Sequence, residues 1–433
     1  MRKKILVRAP VLTRSGYGEH SRFVLRALRT REDLFDIYVL PINWGQTGWL
    51  STNDEERRWL DERIKQTTSY GKGGGKFDIS IQVSIPNEFQ RIAPINIGVT
   101  AGIETTMVSS AWIEKSNEMD KIITISEHSK NTFIETIYKG VHEQTQQEIT
   151  LACTSPVEIV HYPAKVFKNL PNLEIDLEYD FNYLTVAQAG PRKNLANTIR
   201  WFIEENIDQP VGLVVKTFIK NNAISDRENT ENMVRAAASK YPNRKCKIYL
   251  LHGDMTDEEM HSLYSHPKIK CLVSLSHGEG FGLPLFEAAY SGLPIVAPGW
   301  SGQCDFLYAP YLGSSKKNNK TKKQPYFAEV EFNMGPIPEP AVWDGVLERD
   351  SMWCYPTEGS YKMKIRQIRK NYKKWDKKAK QLQKWIHDEF AKDKIYKRLI
   401  DNIYKEESLS IENWLENLGE TSAAENGEPI EFE

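Results

Sequence analysis

Long hydrophobic runs are missing from the sequence. No stretch of 18 apolar residues occurs in the 433 residues, so we predict that no helix spans a membrane. Residues 1–4 run directly into the apolar segment 5–9, and this pattern is too short and too early for a secretory signal peptide. We therefore expect a cytoplasmic protein, and we leave open a peripheral association with a membrane surface.

Cysteine is scarce, and its pattern excludes two kinds of site. The five cysteines are scattered, and no two of them form a C-x-x-C pair. An odd and unpaired set favours reduced thiols in the core over a disulfide framework or a structural zinc site. An Asp-x-Asp metal motif is also missing from the ends of the predicted strands. We expect a site without a metal ion and without a tightly bound cofactor.

A net charge of −1 hides a segregation of charge near the C-terminus. Residues 361–405 carry 16 Lys and Arg against 5 Asp and Glu, a net +11, whereas residues 406–433 carry 9 Glu and no base. Apolar residues recur every three or four positions from Ile365 to Ile386, which predicts one long basic helix with a buried face. Its charged face either is simply solvated or binds an anionic partner, DNA or a membrane surface. We expect the acidic tail to be disordered.

Short apolar runs that alternate with glycine turns and helices are abundant. Residues 271–275 predict a buried parallel strand, residues 277–282 a glycine turn, and Pro284 to Gly292 a helix before a second apolar run. Repetition of this pattern over 433 residues predicts two doubly wound α/β domains. A further helix is predicted from Ser126 to Tyr138.

The turn at residues 277–282 combines features of a phosphate site and a sugar site. Its amides precede a helix and favour an anion. Two carboxylates, Glu279 and Glu287, stand beside them and would suit sugar hydroxyls. The turn follows a strand, where open α/β sheets bind ligands. We therefore predict a nucleotide-sugar site; the alternative is a plain Rossmann turn, although its glycines do not have the G-x-G-x-x-G spacing.

Two basic residues follow another predicted strand, residues 183–187. Arg192 and Lys193 stand at the start of a helix, where they could neutralise a diphosphate or merely form a solvated cap. Such cations can do the work of a metal ion on a leaving diphosphate.

With seven residues between them, Glu279 and Glu287 resemble the paired-glutamate motif of family 4 retaining glycosyltransferases (glycosyl transferases group 1). The resemblance covers residues 4–404 in layout and is specific over 249–306. It implies the GT-B fold, two Rossmann-like domains facing a cleft, with C-terminal helices that cross back to the first domain. The implied segments are 1–168 (acceptor side), 180–360 (donor side), 361–405 (crossing helices) and 406–433 (acidic tail).

The resemblance also implies roles for individual residues. Glu279 would bind hydroxyls of the sugar and Glu287 the ribose, while Arg192 and Lys193 would stabilise the leaving nucleotide. Glu104 lies where many family members carry a histidine near the donor sugar, so its role is open. The remaining implied donor contacts are Gly16, Gly18, His252, Gly253, Gly280, Phe281, Gly282 and Leu283.

These residues favour a retaining glycosyltransferase that uses a UDP- or GDP-sugar. The acceptor would be a glycan, a lipid-linked saccharide or a small molecule; hydroxylated DNA bases are the alternative, as for some phage enzymes. A catalytically silent nucleotide-sugar-binding protein, or a GT-B epimerase or phosphorylase, would share the pattern. The sequence leaves the oligomeric state open.

Overall fold

Two parallel six-stranded sheets organise the chain. The computed structural model describes residues 2–45, 47–141, 147–312 and 322–405. The acidic tail at residues 406–433 lies outside the described residues. The two sheets fall within the first two predicted segments, whose exact boundaries stay a prediction.

The described residues of the first domain form eight strands and four α-helices. The strands are β1 (Lys3–Ala9), β2 (Phe35–Pro41), β3 (Ile79–Val83), β4 (Ile95–Val99), β5 (Lys121–Thr124), β6 (Ile137–Val141), β7 (Glu148–Ala152) and β8 (Val157–Ile159). The helices are α1 (Gly16–Arg29), α2 (Glu55–Lys72), α3 (Ser110–Asn117) and α4 (Glu127–Glu135). The sheet has the order β2-β1-β3-β4-β5-β8, so the strand order reverses between β1 and β3.

The second domain repeats this architecture with one strand moved. Its main strands are β9 (Asn182–Gln188), β10 (Gly212–Phe218), β11 (Lys247–Leu251), β12 (Ile269–Val273) and β13 (Ile295–Pro298), followed by β14 (Tyr308–Ala309), β15 (Gln324–Pro325), β16 (Ala328–Val330), β17 (Phe332–Pro336) and β18 (Met352–Pro356). Its helices are α5 (Leu195–Asn206), α6 (Ile224–Ser239), α7 (Asp257–Tyr264), α8 (Leu283–Tyr290) and α9 (Cys304–Leu307). The order β11-β10-β9-β12-β13-β16 puts the switch point between β9 and β12, where ligands bind in this architecture.

The C-terminal segment forms three helices, where the sequence predicted one long helix. They are α10 (Glu358–Lys370), α11 (Tyr372–Glu389) and α12 (Lys392–Ile403), and Asn371 leaves the helical conformation between the first two. The apolar positions therefore serve two cores: Ile365 joins the core of the second sheet, whereas Ile386 packs with the α8 side chains. The α12 helix reaches the first domain, where the ring of Tyr396 lies 6.0 Å from that of Phe23. Among the described helices, none is both long and apolar enough to cross a bilayer.

The helix predicted to run to Tyr138 ends earlier. After Glu135 the chain turns into β6, which pairs with β7 as an antiparallel hairpin. The Tyr138 hydroxyl donates a hydrogen bond to the carbonyl oxygen of Val108 at 2.7 Å, which fixes the chain in the extended form. The prediction was wrong because this tertiary contact outweighs the local helical pattern.

A close backbone approach joins the two domains at Gly280. A Cβ atom on this residue would lie 2.2 Å from the carbonyl oxygen of Ala101 in the first domain. The carbonyl oxygen of Gly280 in turn accepts a hydrogen bond from the Ser126 hydroxyl at 2.6 Å. Only glycine fits this contact, because any side chain would displace the backbone of the other domain.

We predict that Gly280→Ala lowers the stability of the protein by about 1–3 kcal/mol, the usual cost of overpacking. It should also impair any activity that needs the closed cleft. Gly359→Ala is the matched control, because a Cβ at that exposed position of α10 meets nothing within 4 Å. Thermal denaturation of both variants checks the effect; equal melting temperatures would contradict the proposed clash.

Candidate active site

Two loops meet at the switch point of the second sheet and bring the predicted basic and acidic residues together. Arg192 and Lys193 follow β9, in one short turn of 3-10 helix, and Glu279 follows β12. The loops are bonded to each other, since the amide of His277 donates to the carbonyl oxygen of Arg192 at 2.8 Å. Because β9 and β12 are neighbours, residues 87 positions apart in sequence become direct contacts.

The charged groups form a cluster of four, with two cations and two carboxylates. Arg192 binds Glu279 through Nη1 at 3.1 Å and Glu104 of the first domain through Nη2 at 3.0 Å. The ammonium of Lys193 pairs with the other oxygen of Glu279. The side chain of Glu279 is only 10% exposed, and that of Arg192 is 27% exposed. The cluster is thus neutral and partly buried.

The protonation states follow from burial and from the opposite charges. Burial alone would raise the pKa of Glu279, but the charges of Lys193 and Arg192 outweigh it and lower this pKa to about 2. Burial and the neighbouring charge of Arg192 lower the pKa of the Lys193 ammonium. Glu279 is therefore a carboxylate at neutral pH, held between two cations.

Glu287 lies apart from this cluster, in the first turns of α8. Its Oε2 accepts a hydrogen bond from the Tyr264 hydroxyl at 2.9 Å. Burial raises the pKa of Glu287 to about 7, and the attraction of Lys165 offsets only part of that effect. The two glutamates of the motif thus have opposite electrostatic environments, and Glu287 is partly protonated at neutral pH.

The cleft between the domains has a volume of about 710 Å³. Of the predicted donor contacts, Gly16, Leu283 and Glu287 line it. Gly282 takes a left-handed conformation with φ of 94° and directs the chain into α8, as the predicted turn requires. Phe281 instead lies in the core, only 2% exposed, so any contact that it makes with a donor is through its backbone.

The other predicted positions, and the four residues of the charged cluster, are not among the described residues that line this cleft. His252 is buried and its Nε2 lies 2.9 Å from Asp226 Oδ2, while the carbonyl oxygen of Gly253 accepts a hydrogen bond from the Lys216 ammonium. The amide of Gly18 donates to the Ser15 hydroxyl, which caps α1. These positions border the donor side and the glycine loop, and their binding roles stay predictions.

Several charged residues of the cleft were not found from the sequence. Lys165, in the segment between the sheets, bridges Glu19 of α1 at 3.0 Å and Asp257 of α7 at 2.6 Å. No sequence signal marks Lys165, because its partners come together only in the folded protein. Lys216 could have been noticed in the sequence, because it is a single lysine within the apolar strand β10. Within the described ranges, no group of three or more potential ligands is placed to hold a metal ion.

Comparison with known proteins gives a family match for the donor side. Residues 177–313 match the model of glycosyl transferases group 1. A search of curated proteins finds no match to the chain. The family match supports a nucleotide-sugar-dependent glycosyltransferase as the enzyme class.

Solved structures share the whole layout. Sucrose-phosphate synthase from Thermosynechococcus elongatus is 11% identical with a TM-score of 0.58, and the match covers 97% of this chain and 100% of that one. HepE from Anabaena, in complex with UDP-glucose, is 11% identical with a TM-score of 0.54, covering 93% and 99%. A glycosyltransferase from Rickettsia africae is 12% identical with a TM-score of 0.55, covering 93% and 98%. These matches confirm the GT-B fold.

We predict that Glu287→Gln stabilises the protein at pH 8 and has little effect at pH 5. The raised pKa means that, between about 4.5 and 7, the folded protein keeps a proton that the unfolded chain has lost. The contribution of Glu287 to the stability of the fold therefore falls as the pH rises through that window, because the buried carboxyl group becomes charged. Glutamine stays neutral and avoids this destabilisation. Melting temperatures at pH 5 and pH 8 measure the effect.

Glu279→Gln is the internal control for this experiment. Its pKa of about 2 means that its contribution is fully present throughout pH 5–8, so this variant should lose stability equally at both values. If the two variants responded alike to pH, the contrast between the two environments would be wrong.

Proposed function

We propose that the protein is a retaining glycosyltransferase that transfers a sugar from a UDP- or GDP-sugar to an acceptor hydroxyl. The observation that carries the proposal is the cluster of Arg192, Lys193 and Glu279 at the switch point of the matched domain. The Anabaena neighbour, which holds UDP-glucose, supports a nucleotide-sugar donor. Retention of configuration at the anomeric carbon is inferred from the resemblance of Glu279 and Glu287 to the paired-glutamate motif of retaining glycosyltransferases.

The two cations act on the diphosphate. Negative charge grows on the leaving diphosphate in the transition state, and preorganised cations in a cleft stabilise that charge more than they stabilise the ground state. Arg192 offers a planar fork for two phosphate oxygens, and Lys193 adds a compact charge beside it. The amides of Gly282 and Leu283 lie at the start of α8, and we propose that they bind the same phosphates.

Glu279 orients the sugar. Because its carboxylate is ionised and fixed by two cations, it accepts hydrogen bonds from sugar hydroxyls without having to be reorganised. The same pairing makes it a weak base and a weak nucleophile, which favours a positioning role. Glu287 is proposed to bind the ribose. It lines the cleft and lies within α8, further along the helix than Leu283.

A polyanionic acceptor is the second candidate, and the charge of α11 favours it. Six lysines of the segment are exposed and have no ion-pair partner among the described residues; we term them the lysine face: Lys370, Lys373, Lys374, Lys377, Lys380 and Lys384. Two bases earlier in α10 than Lys370 differ from the lysine face, since Lys362 and Arg366 are paired with Glu204 and Glu205 of the second domain. An unpaired cation loses less free energy when it binds a new anion, because no existing ion pair has to be broken.

We predict that Glu279→Gln lowers kcat/KM for transfer by roughly ten- to a hundredfold while the fold is kept. The loss of a hydrogen bond to a charged group costs about 1.5–3 kcal/mol. Single-turnover transfer from a radiolabelled donor measures the effect, after a thermal-shift screen of UDP- and GDP-sugars has identified that donor. Glu331→Gln, an exposed glutamate outside the cleft, is the control. An unchanged kcat/KM in Glu279→Gln would refute the site, and donor binding without transfer or hydrolysis would indicate the silent binding protein.

For the lysine face, we predict salt-dependent binding of a polyanion. Affinity for duplex DNA or for anionic vesicles should fall steeply from about 50 to 200 mM salt, because counterions are released on binding. Reversal of Lys373, Lys374 and Lys377 to glutamate should abolish it, whereas reversal of the scattered, exposed Lys65, Lys72 and Lys240 should not. Deletion of residues 406–433 should tighten binding if the acidic tail competes. If neither polyanion binds the truncated protein at low salt, the lysine face is only a solvated surface.

A further inference from the structure

Glu104 is the member of the charged cluster that comes from the first domain. It lies in the loop after β4, and its carbonyl oxygen packs so closely on Gly278 that a Cβ there would lie 2.0 Å away. Its carboxylate pairs with Arg192 of the second domain, and its side chain is 27% exposed. The family histidine expected near this position is replaced by a negative charge.

The loop that carries Glu104 is held at both ends. On one side, the Tyr17 hydroxyl lies 2.9 Å from Thr100 Oγ1 and accepts a hydrogen bond from the amide of Ala101 at 3.2 Å. On the other side, Thr106 Oγ1 accepts a hydrogen bond at 2.9 Å from the amide of Met352 in the second domain. These contacts hold the loop of Glu104 in position between the two domains.

One guanidinium holds both carboxylates, Glu104 on Nη2 and Glu279 on Nη1. Under the proposed function, Arg192 and Lys193 bind the diphosphate. The sugar is bonded to that diphosphate, so we expect its ring to lie near Arg192 and the two carboxylates that this arginine holds. Lys193, the other cation of the cluster, is already paired with Glu279.

We infer that Glu104 sets the charge class of the donor sugar, admitting neutral and amino sugars and excluding uronic acids. This inference rests on the proposed function. Hydroxyl and ammonium groups can donate to the carboxylate of Glu104. The carboxylate of a uronic acid has no proton to donate, and it would face two like charges in a partly desolvated cleft.

The test compares two donors that differ only at C6 of the sugar, UDP-glucose and UDP-glucuronate. Titration calorimetry with the full chain gives the Kd of each and of UDP alone; GDP-mannose, GDP-mannuronate and GDP form the parallel series. The wild type should bind the neutral sugar at least tenfold more tightly than the uronate. Glu104→Gln should reduce this ratio at least threefold, mainly through tighter binding of the uronate. Glu114→Gln, an exposed glutamate of the same domain, should leave the ratio unchanged.

Three results would overturn the inference, and they have different meanings. Equal affinity of the wild type for both sugars would show that Glu104 does not discriminate. If Glu104→Gln changed the Kd of UDP and of both sugars by one common factor, Glu104 would act only as the partner of Arg192. In both cases the proposed function would stand. If neither nucleotide series bound at all, the proposed function itself would fall with the inference.

Discussion

The contact of the glycine turn with the first domain is the constraint on which the site depends. Gly278 and Gly280 approach the backbone of Glu104 and Ala101 so closely that neither position has room for a Cβ. This approach puts Glu104 within reach of Arg192, and it brings four charged groups into a partly buried space. Burial of charges is costly unless each is paired. The two cations and two carboxylates satisfy that condition for one another, so packing and charge balance support the same arrangement.

A neutral cluster has a consequence for ligand binding. A diphosphate adds at least two negative charges to a space that already holds two carboxylates, so it can bind Arg192 and Lys193 only by competing with Glu104 and Glu279. Of these, Glu104 is the more exposed and has one ion-pair partner within the described part of the chain, Arg192, whereas Glu279 is held by two cations. The Glu104 pair is therefore the weaker one. In the proposed mechanism, the diphosphate would therefore compete with an ion pair that links the two domains.

Much of this architecture could be predicted from the sequence, because parallel strands buried on both faces read as apolar runs. The predicted strand at 183–187 lies within β9, and the predicted strand at 271–275 overlaps β12. The placement of Arg192 near Glu279 was also within reach, since both follow strands of one sheet. Two predictions were wrong: the helix to Tyr138, where a distant contact favours a hairpin, and the single long C-terminal helix, which is broken at Asn371. Lys165 could not be found for the same reason, because its two partners come from different domains.

The two glutamates of the motif show why the spacing alone is an incomplete description of the site. Eight positions separate them, and the left-handed turn at Gly282 comes between, so Glu279 faces the cations after β9 while Glu287 faces Tyr264. The same side chain consequently has a pKa of about 2 in one place and about 7 in the other. A group that is always ionised suits a fixed contact to the sugar. A group that titrates near neutrality can either accept two hydrogen bonds or donate one and accept one, which matches the paired hydroxyls of a ribose. The motif thus combines a permanent charge and an adjustable one, and the difference arises wholly from what surrounds each carboxyl group.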